Sequence, residues 1–103
     1  MPSYVGHIGK GESLDATKYF EGPWEKFERI ELLPDQSRRF TADRLEFSVF
    51  VMSGSGTYLF DGRTYELSEG HAVTVGHGSE ILVTASSKAS LELFVTTLRV
   101  HLG

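Results

Sequence analysis

The stretch "GTYLFDGRTYELSEG", residues 56–70, decides the fold. Asp61 and Gly62 stand between two runs in which polar and apolar residues alternate. Asp-Gly in that place is what a two-residue type I′ hairpin needs, because both central residues take positive φ. The turn then sets the register of the two strands. Phe60 falls opposite Arg63, Tyr58 opposite Tyr65 and Gly56 opposite Leu67 on one face, with Thr57, Leu59, Thr64 and Glu66 on the other.

The same period of two continues outward in both directions. In "RLEFSVFVMSG" (44–54), Leu45, Phe47, Val49 and Val51 share one face and Glu46, Ser48, Phe50 and Met52 the other, so the odd set is the expected core face. Downstream, "AVTV" (72–75) and "EILVTA" (80–85) are short strands separated by the Gly76–Gly78 turn. "LELFVTTLRVHL" (91–102) is a last strand, long enough to lie along a sheet edge or reach a second subunit. Upstream, "WEKFERIELLP" (24–34) alternates and is closed by Pro34-Asp35. "SLDATKYF" (13–20) is expected to open a helical turn with Ser13 as its cap, stopped by Gly22-Pro23. Residues 1–12 hold three glycines and read as an arm or an edge strand awaiting a partner. This organisation is an N-terminal arm over 1–24 and a β-barrel over 25–103, together one domain. Eight or nine short strands with regular turns make the fold class all-β, a sandwich or barrel.

Composition narrows the function. A chain of 103 residues has one modest core, burying roughly 65% of the surface its unfolded form exposes. With no cysteine, neither a disulfide framework nor a thiolate metal site is available, and the histidines are four: His7, His71, His77 and His101. The net charge of −4, with arginines scattered among fourteen carboxylates, lacks the basic stripe of a nucleic-acid binder. No apolar run approaches the ~18 residues of a membrane span, and the N-terminus lacks a basic stretch followed by an apolar one. The expectation is a cytoplasmic protein with neither nucleic acid nor membrane as partner.

Two motifs resemble those of the cupins, small double-stranded β-helix or jelly-roll barrels. In the second cupin motif a glycine is followed by five residues, a proline, one residue, a glycine, two residues and a histidine. Here Gly70, Gly76, His77, Gly78, Ser79, Glu80 and Ile81 reproduce that spacing, with both framework glycines present and Ile81 in the place of the histidine. The first motif has histidine, one residue, histidine, three residues, glutamate, six residues and glycine. Anchored on Gly54, it places its three metal ligands at Thr41, Asp43 and Phe47. The resemblance covers roughly residues 25–100. It implies a cupin-like barrel, and a site in which Phe47 and Ile81 put apolar side chains where a cation needs charge or a lone pair.

Leu45, Phe47, Val49, Val73, Val75, Ile81 and Val83 all have inward parity, which predicts a largely apolar mouth. Thr41, Asp43, Phe47, Ile81 and Arg39 are the candidate ligand-binding residues, with Arg39, Asp43 and Arg63 able to orient an anion or polyol. His77, in its glycine-flanked turn, is a candidate acid or base, with Tyr58 or Tyr65 as proton donor. Trp24, Phe27, Tyr19 and Phe20 suit a lid over the barrel or a dimer seam. The serines at 48, 53 and 55 form no nucleophile set. The expected function is metal-independent and cofactor-free binding of a small molecule in an apolar barrel pocket. The alternatives are an isomerase, epimerase or cyclase working by side-chain acid/base chemistry, and a structural or regulatory dimerisation module. A homodimer is the expected assembly.

Overall fold

The computed structural model describes residues 6–101. Nine strands fall within them: β1 (Ser13–Asp15), β2 (Trp24–Leu32), β3 (Ser37–Thr41), β4 (Leu45–Ser53), β5 (Ser55–Phe60), β6 (Arg63–Ser68), β7 (Ala72–Val75), β8 (Glu80–Ala85) and β9 (Leu91–Arg99). They form two antiparallel sheets, one ordered β1-β2-β9-β4-β7 and the other β3-β8-β5-β6. The two lie face to face, and the side chains of their inner faces make the core.

The β5–β6 hairpin has the register its turn dictates, with Phe60 opposite Arg63, Tyr58 opposite Tyr65 and Gly56 opposite Leu67. Asp61 and Gly62 take φ of 50° and 77°, as a type I′ turn requires. Gly54 sits between β4 and β5 at φ 88°, and a Cβ there would lie 2.0 Å from the carbonyl oxygen of Ser90. The backbone approach at the first motif's glycine leaves no room for a side chain.

Parity governs the core. Val49, Val51, Val75, Val83, Leu91, Leu93 and Val95 are almost wholly buried, and Ile30, Leu32, Phe40 and Ile81 join them. Each such side chain stabilises the fold by about 1.5–3 kcal/mol relative to its exposed state. The last strand is central, not an edge: β9 pairs with β2 on one side and β4 on the other. Its strictly alternating Leu91, Leu93, Val95 fits a strand flanked on both sides, and this corrects the edge expected from length alone.

The segment at 13–20 also differs from expectation. Ser13 does not cap a helix. Ser13–Asp15 pairs with β2, and one short 3-10 turn follows at Ala16–Lys18, capped by the Asp15 carboxylate accepting from the Thr17 amide at 3.0 Å. Pairing with β2 satisfies more backbone groups than a four-residue helix start could. Of the arm at 1–12, residues 1–5 lie outside the described residues. Gly11 and Glu12 exchange hydrogen bonds with Arg29 of the same chain. Among the described residues no helix is long and apolar enough to cross a membrane.

Candidate functional site

The inner faces do not stay apolar to their ends. In β2 the parity of Ile30 and Leu32 continues to Glu28 and Lys26. In β9 the parity of Leu91, Leu93 and Val95 continues to Thr97, and in β3 that of Phe40 continues to Arg38. Strands that run past the core to the rim carry their inward side with them, so these polar residues turn into the barrel. Cross-strand pairing sets Lys26 beside Thr97 and Thr97 beside Phe47.

They line a cleft of about 660 Å³ between the β1–β2 side of one sheet and the β3 edge of the other. Phe40, Leu45 and Phe47 form its apolar wall, Phe40 and Phe47 meeting edge to face with centroids 5.5 Å apart. Lys26 and Arg38 reach the Glu28 carboxylate at 3.4 and 3.6 Å, and the Glu28 side chain is only 15% exposed. The Arg38 guanidinium also lies 5.6 Å from the centre of the Phe40 ring, within cation–π range. This cleft is therefore of mixed polarity, whereas the groove bordered by Val73, Val75 and Ile81 keeps the mostly apolar lining expected from parity at β7 and β8.

Charges around the cleft are matched. Asp15, Glu25 and Glu28 face Lys26, Arg38 and Arg39. Glu25 pairs with Arg99 at 3.1 Å and Arg39 with Glu80 at 2.8 Å, so no cation of the cleft lacks an acidic partner among the described residues. The Asp15 carboxyl is held below its ordinary value, chiefly by the Thr17 hydroxyl it accepts from. One group has no such partner. Thr97 is 2% exposed and its Oγ1 makes no hydrogen bond. Thr97 thus borders the cleft while its Oγ1 is closed off from solvent in the β2–β9–β4 part of the sheet.

The residues singled out by sequence are distributed over several places. Arg39, Thr41 and Phe47 border the cleft, but Arg39 and Thr41 direct their polar ends to Glu80 on the outer face of β8. The Thr41 hydroxyl and then the Arg39 guanidinium hold the Glu80 carboxyl below the ordinary glutamate value. Ile81, 3% exposed, and Tyr58 border a smaller groove of about 200 Å³ on another side of the barrel. Tyr58 and Tyr65 stack with centroids 4.9 Å apart. His77 sits in the turn before β8, where its Nδ1 accepts from the Arg44 amide at 3.0 Å and its own amide donates to Glu46. Asp43 is exposed in the β3–β4 loop, and Arg63 is exposed at the hairpin. Lys26, Glu28, Arg38 and Thr97 were not among the candidates. The available signal was a polar residue of core parity just beyond an apolar run.

The four positions that hold a metal in the resembled motifs do not fit one here. Phe47 and Ile81 offer no donor atom, Ile81 is packed in the core, and the Thr41 hydroxyl is bonded to Glu80. Among the described residues no three His, Asp or Glu side chains come together elsewhere.

No protein-family model matches the chain, and no curated protein does. Solved structures do. The chain is similar to a predicted oxalate decarboxylase from Thermotoga maritima, with a TM-score of 0.76 and 15% identity over 86% of this chain and 80% of that one. It is similar in the same degree, TM-score 0.76 and 15% identity, to a cupin protein from Bacteroides fragilis, over 96% of this chain and 83% of that one. A cupin 2 conserved barrel domain protein from Salinispora arenicola aligns with a TM-score of 0.68 and 16% identity, over 78% and 66%. These likenesses establish the fold: the chain is an all-β, cupin-like double-sheet barrel.

Proposed function

We propose that the protein binds a small uncharged organic molecule carrying hydroxyl groups and an apolar ring, in the cleft between β1–β2 and β3, without a metal ion. The observation that carries this reading is the lining of the cleft, an apolar wall set against polar groups whose cations are already paired with carboxylates. The matched charges favour an uncharged ligand, since an ion would have to break an existing pair such as Glu28 with Lys26. Polar groups of both kinds, the Ser13 hydroxyl and the Lys26 ammonium as donors and the Asp15 and Glu28 carboxylates as acceptors, suit hydroxyls that both donate and accept. The Phe40–Phe47 pair and Leu45 supply an apolar wall for a ring.

The test is a two-dimensional amide NMR titration with phenyl β-D-glucoside, with benzoate and phenyl phosphate as charged comparators. The expected result is that phenyl glucoside shifts the amides of 26–28, 38–40 and 95–97 more than either anion does. Shifts confined to other residues, or stronger shifts with the anions, would overturn the reading.

A further inference from the structure

Two of the places where the chain crosses between the sheets are tied to each other. β3 belongs to the four-stranded sheet and β4 to the five-stranded one, so the loop at 42–44 carries the chain across. The turn at 76–79 makes the return crossing, from β7 to β8. The Ser79 amide donates to the Gly76 carbonyl at 3.0 Å and Gly78 takes φ 92°, which makes this a type II turn with glycine at its third position. His77 stands at the second position, exposed, with its side chain directed to the neighbouring loop.

Among the described residues three hydrogen bonds join loop and turn. Two run between backbone groups: the Ala42 amide donates to the Ser79 carbonyl at 2.9 Å, and the Gly78 amide to the Ala42 carbonyl at 2.8 Å. The third uses a side chain, the Arg44 amide donating to His77 Nδ1 at 3.0 Å. Arg44 takes φ 61°, a left-handed conformation that is costly for a residue with a Cβ and persists only where its surroundings hold it. His77 is itself held by its own amide, which donates to the Glu46 carboxylate at 3.0 Å.

We infer that His77 is a positioning residue for the cleft, setting the spacing of the two sheets at its rim through the bond from the Arg44 amide to Nδ1. The inference rests on the cleft being the ligand site. Thr41 and Leu45, at the two ends of the loop, both line the cleft, and Phe47 of its apolar wall follows on β4. The cleft lies between the sheets, so the loop that joins them fixes how Phe40 on β3 stands against Phe47 on β4. The bond also assigns the proton, since a neutral imidazole that accepts at Nδ1 carries its hydrogen on Nε2.

The test compares His77→Leu, which keeps the branching at Cγ but has no lone pair, with His77→Asn, whose Oδ1 stands where Nδ1 stood. Circular dichroism melts check that both variants are folded. Three quantities are read at about pH 8, where an ordinary histidine is neutral. They are the nitrogen NMR spectrum of the parent's His77 imidazole, hydrogen exchange at the Arg44 amide, and the affinity for phenyl β-D-glucoside. The expected result is an unprotonated Nδ1 and a protonated Nε2 in the parent. In His77→Leu the Arg44 amide exchanges about three- to tenfold faster and the glucoside binds more weakly by a similar factor, the loss of one hydrogen bond. His77→Asn restores both. A hydrogen on Nδ1, or an Arg44 amide that keeps the parent's exchange rate in His77→Leu, would overturn the inference. So would an equal loss of affinity in both variants, which is what a merely steric role of the ring would give. If the Arg44 amide behaves as expected and the parent binds no glucoside, the failure lies with the cleft as the ligand site, and the positioning role falls with it.

Discussion

Replacing Thr97 by valine should make the protein more stable. Thr97 is 2% exposed and its hydroxyl has no hydrogen-bond partner, so the folded ligand-free chain carries the desolvation of that group uncompensated. Valine has nearly the same shape and presents a methyl group where the hydroxyl stood. Removal of an unsatisfied buried hydroxyl returns about 1–3 kcal/mol. In a domain near 100 residues each kcal/mol moves the melting temperature by about 4–8 °C, so the low end of that range alone predicts a rise of that size. The assay is a pair of thermal melts at pH 7, with urea midpoints as a second measure of the same difference. A Thr97→Val protein less stable than the parent by 1 kcal/mol or more would refute the reasoning, because it would mean that the hydroxyl is satisfied, for instance by an ordered water in the cleft. A Thr97→Ser variant separates the two contributions: it keeps the hydroxyl and loses the methyl, and should be destabilised.

Two further outcomes follow from other parts of the molecule. Gly54→Ala puts a Cβ 2.0 Å from the Ser90 carbonyl oxygen on a residue at φ 88°, and should lower the unfolding free energy by at least about 2 kcal/mol in urea titration. Glu92 is held below the ordinary glutamate value, first by its hydrogen bond from Arg29, so its unfolded form binds protons more readily than its folded form. Its contribution is therefore complete above about pH 4.5 and is lost as the pH falls through the lower folded value. Melts from pH 7 to pH 3 should show a shallower loss for Glu92→Gln than for the parent, and identical slopes would count against the Arg29–Glu92 pairing.

Much of the fold was legible because its decisive signals are local. Asp61-Gly62 fixes a turn by its own backbone chemistry, and the turn fixes the hairpin register residue by residue. Val49, Val75, Ile81 and Val83 were legible as core because a strand's alternation survives whatever sheet it joins. Pairing between distant strands leaves no comparable local mark, which is why the central place of β9 was missed. The site was harder for the same reason. Lys26 and Glu28 look like a solvated face of "WEKFERIEL" until β9 and β3 are set beside them, and a bulge between Trp24 and Lys26 brings Trp24 and Phe27 to one outer face that simple parity would have split. Thr97 is ordinary in sequence; only the surrounding ladder leaves its hydroxyl without a partner.

The most direct test of the central claim, that the cleft between β1–β2 and β3 is a binding site for an uncharged hydroxylated ligand, is isothermal titration of phenyl β-D-glucoside into the parent protein and into Phe47→Ala, which removes part of the cleft's apolar wall. The account predicts measurable binding to the parent and an affinity at least about tenfold weaker in the variant, the loss of apolar contact with the ligand ring. Equal affinity for the two proteins, or no binding to the parent at millimolar concentration, would contradict it.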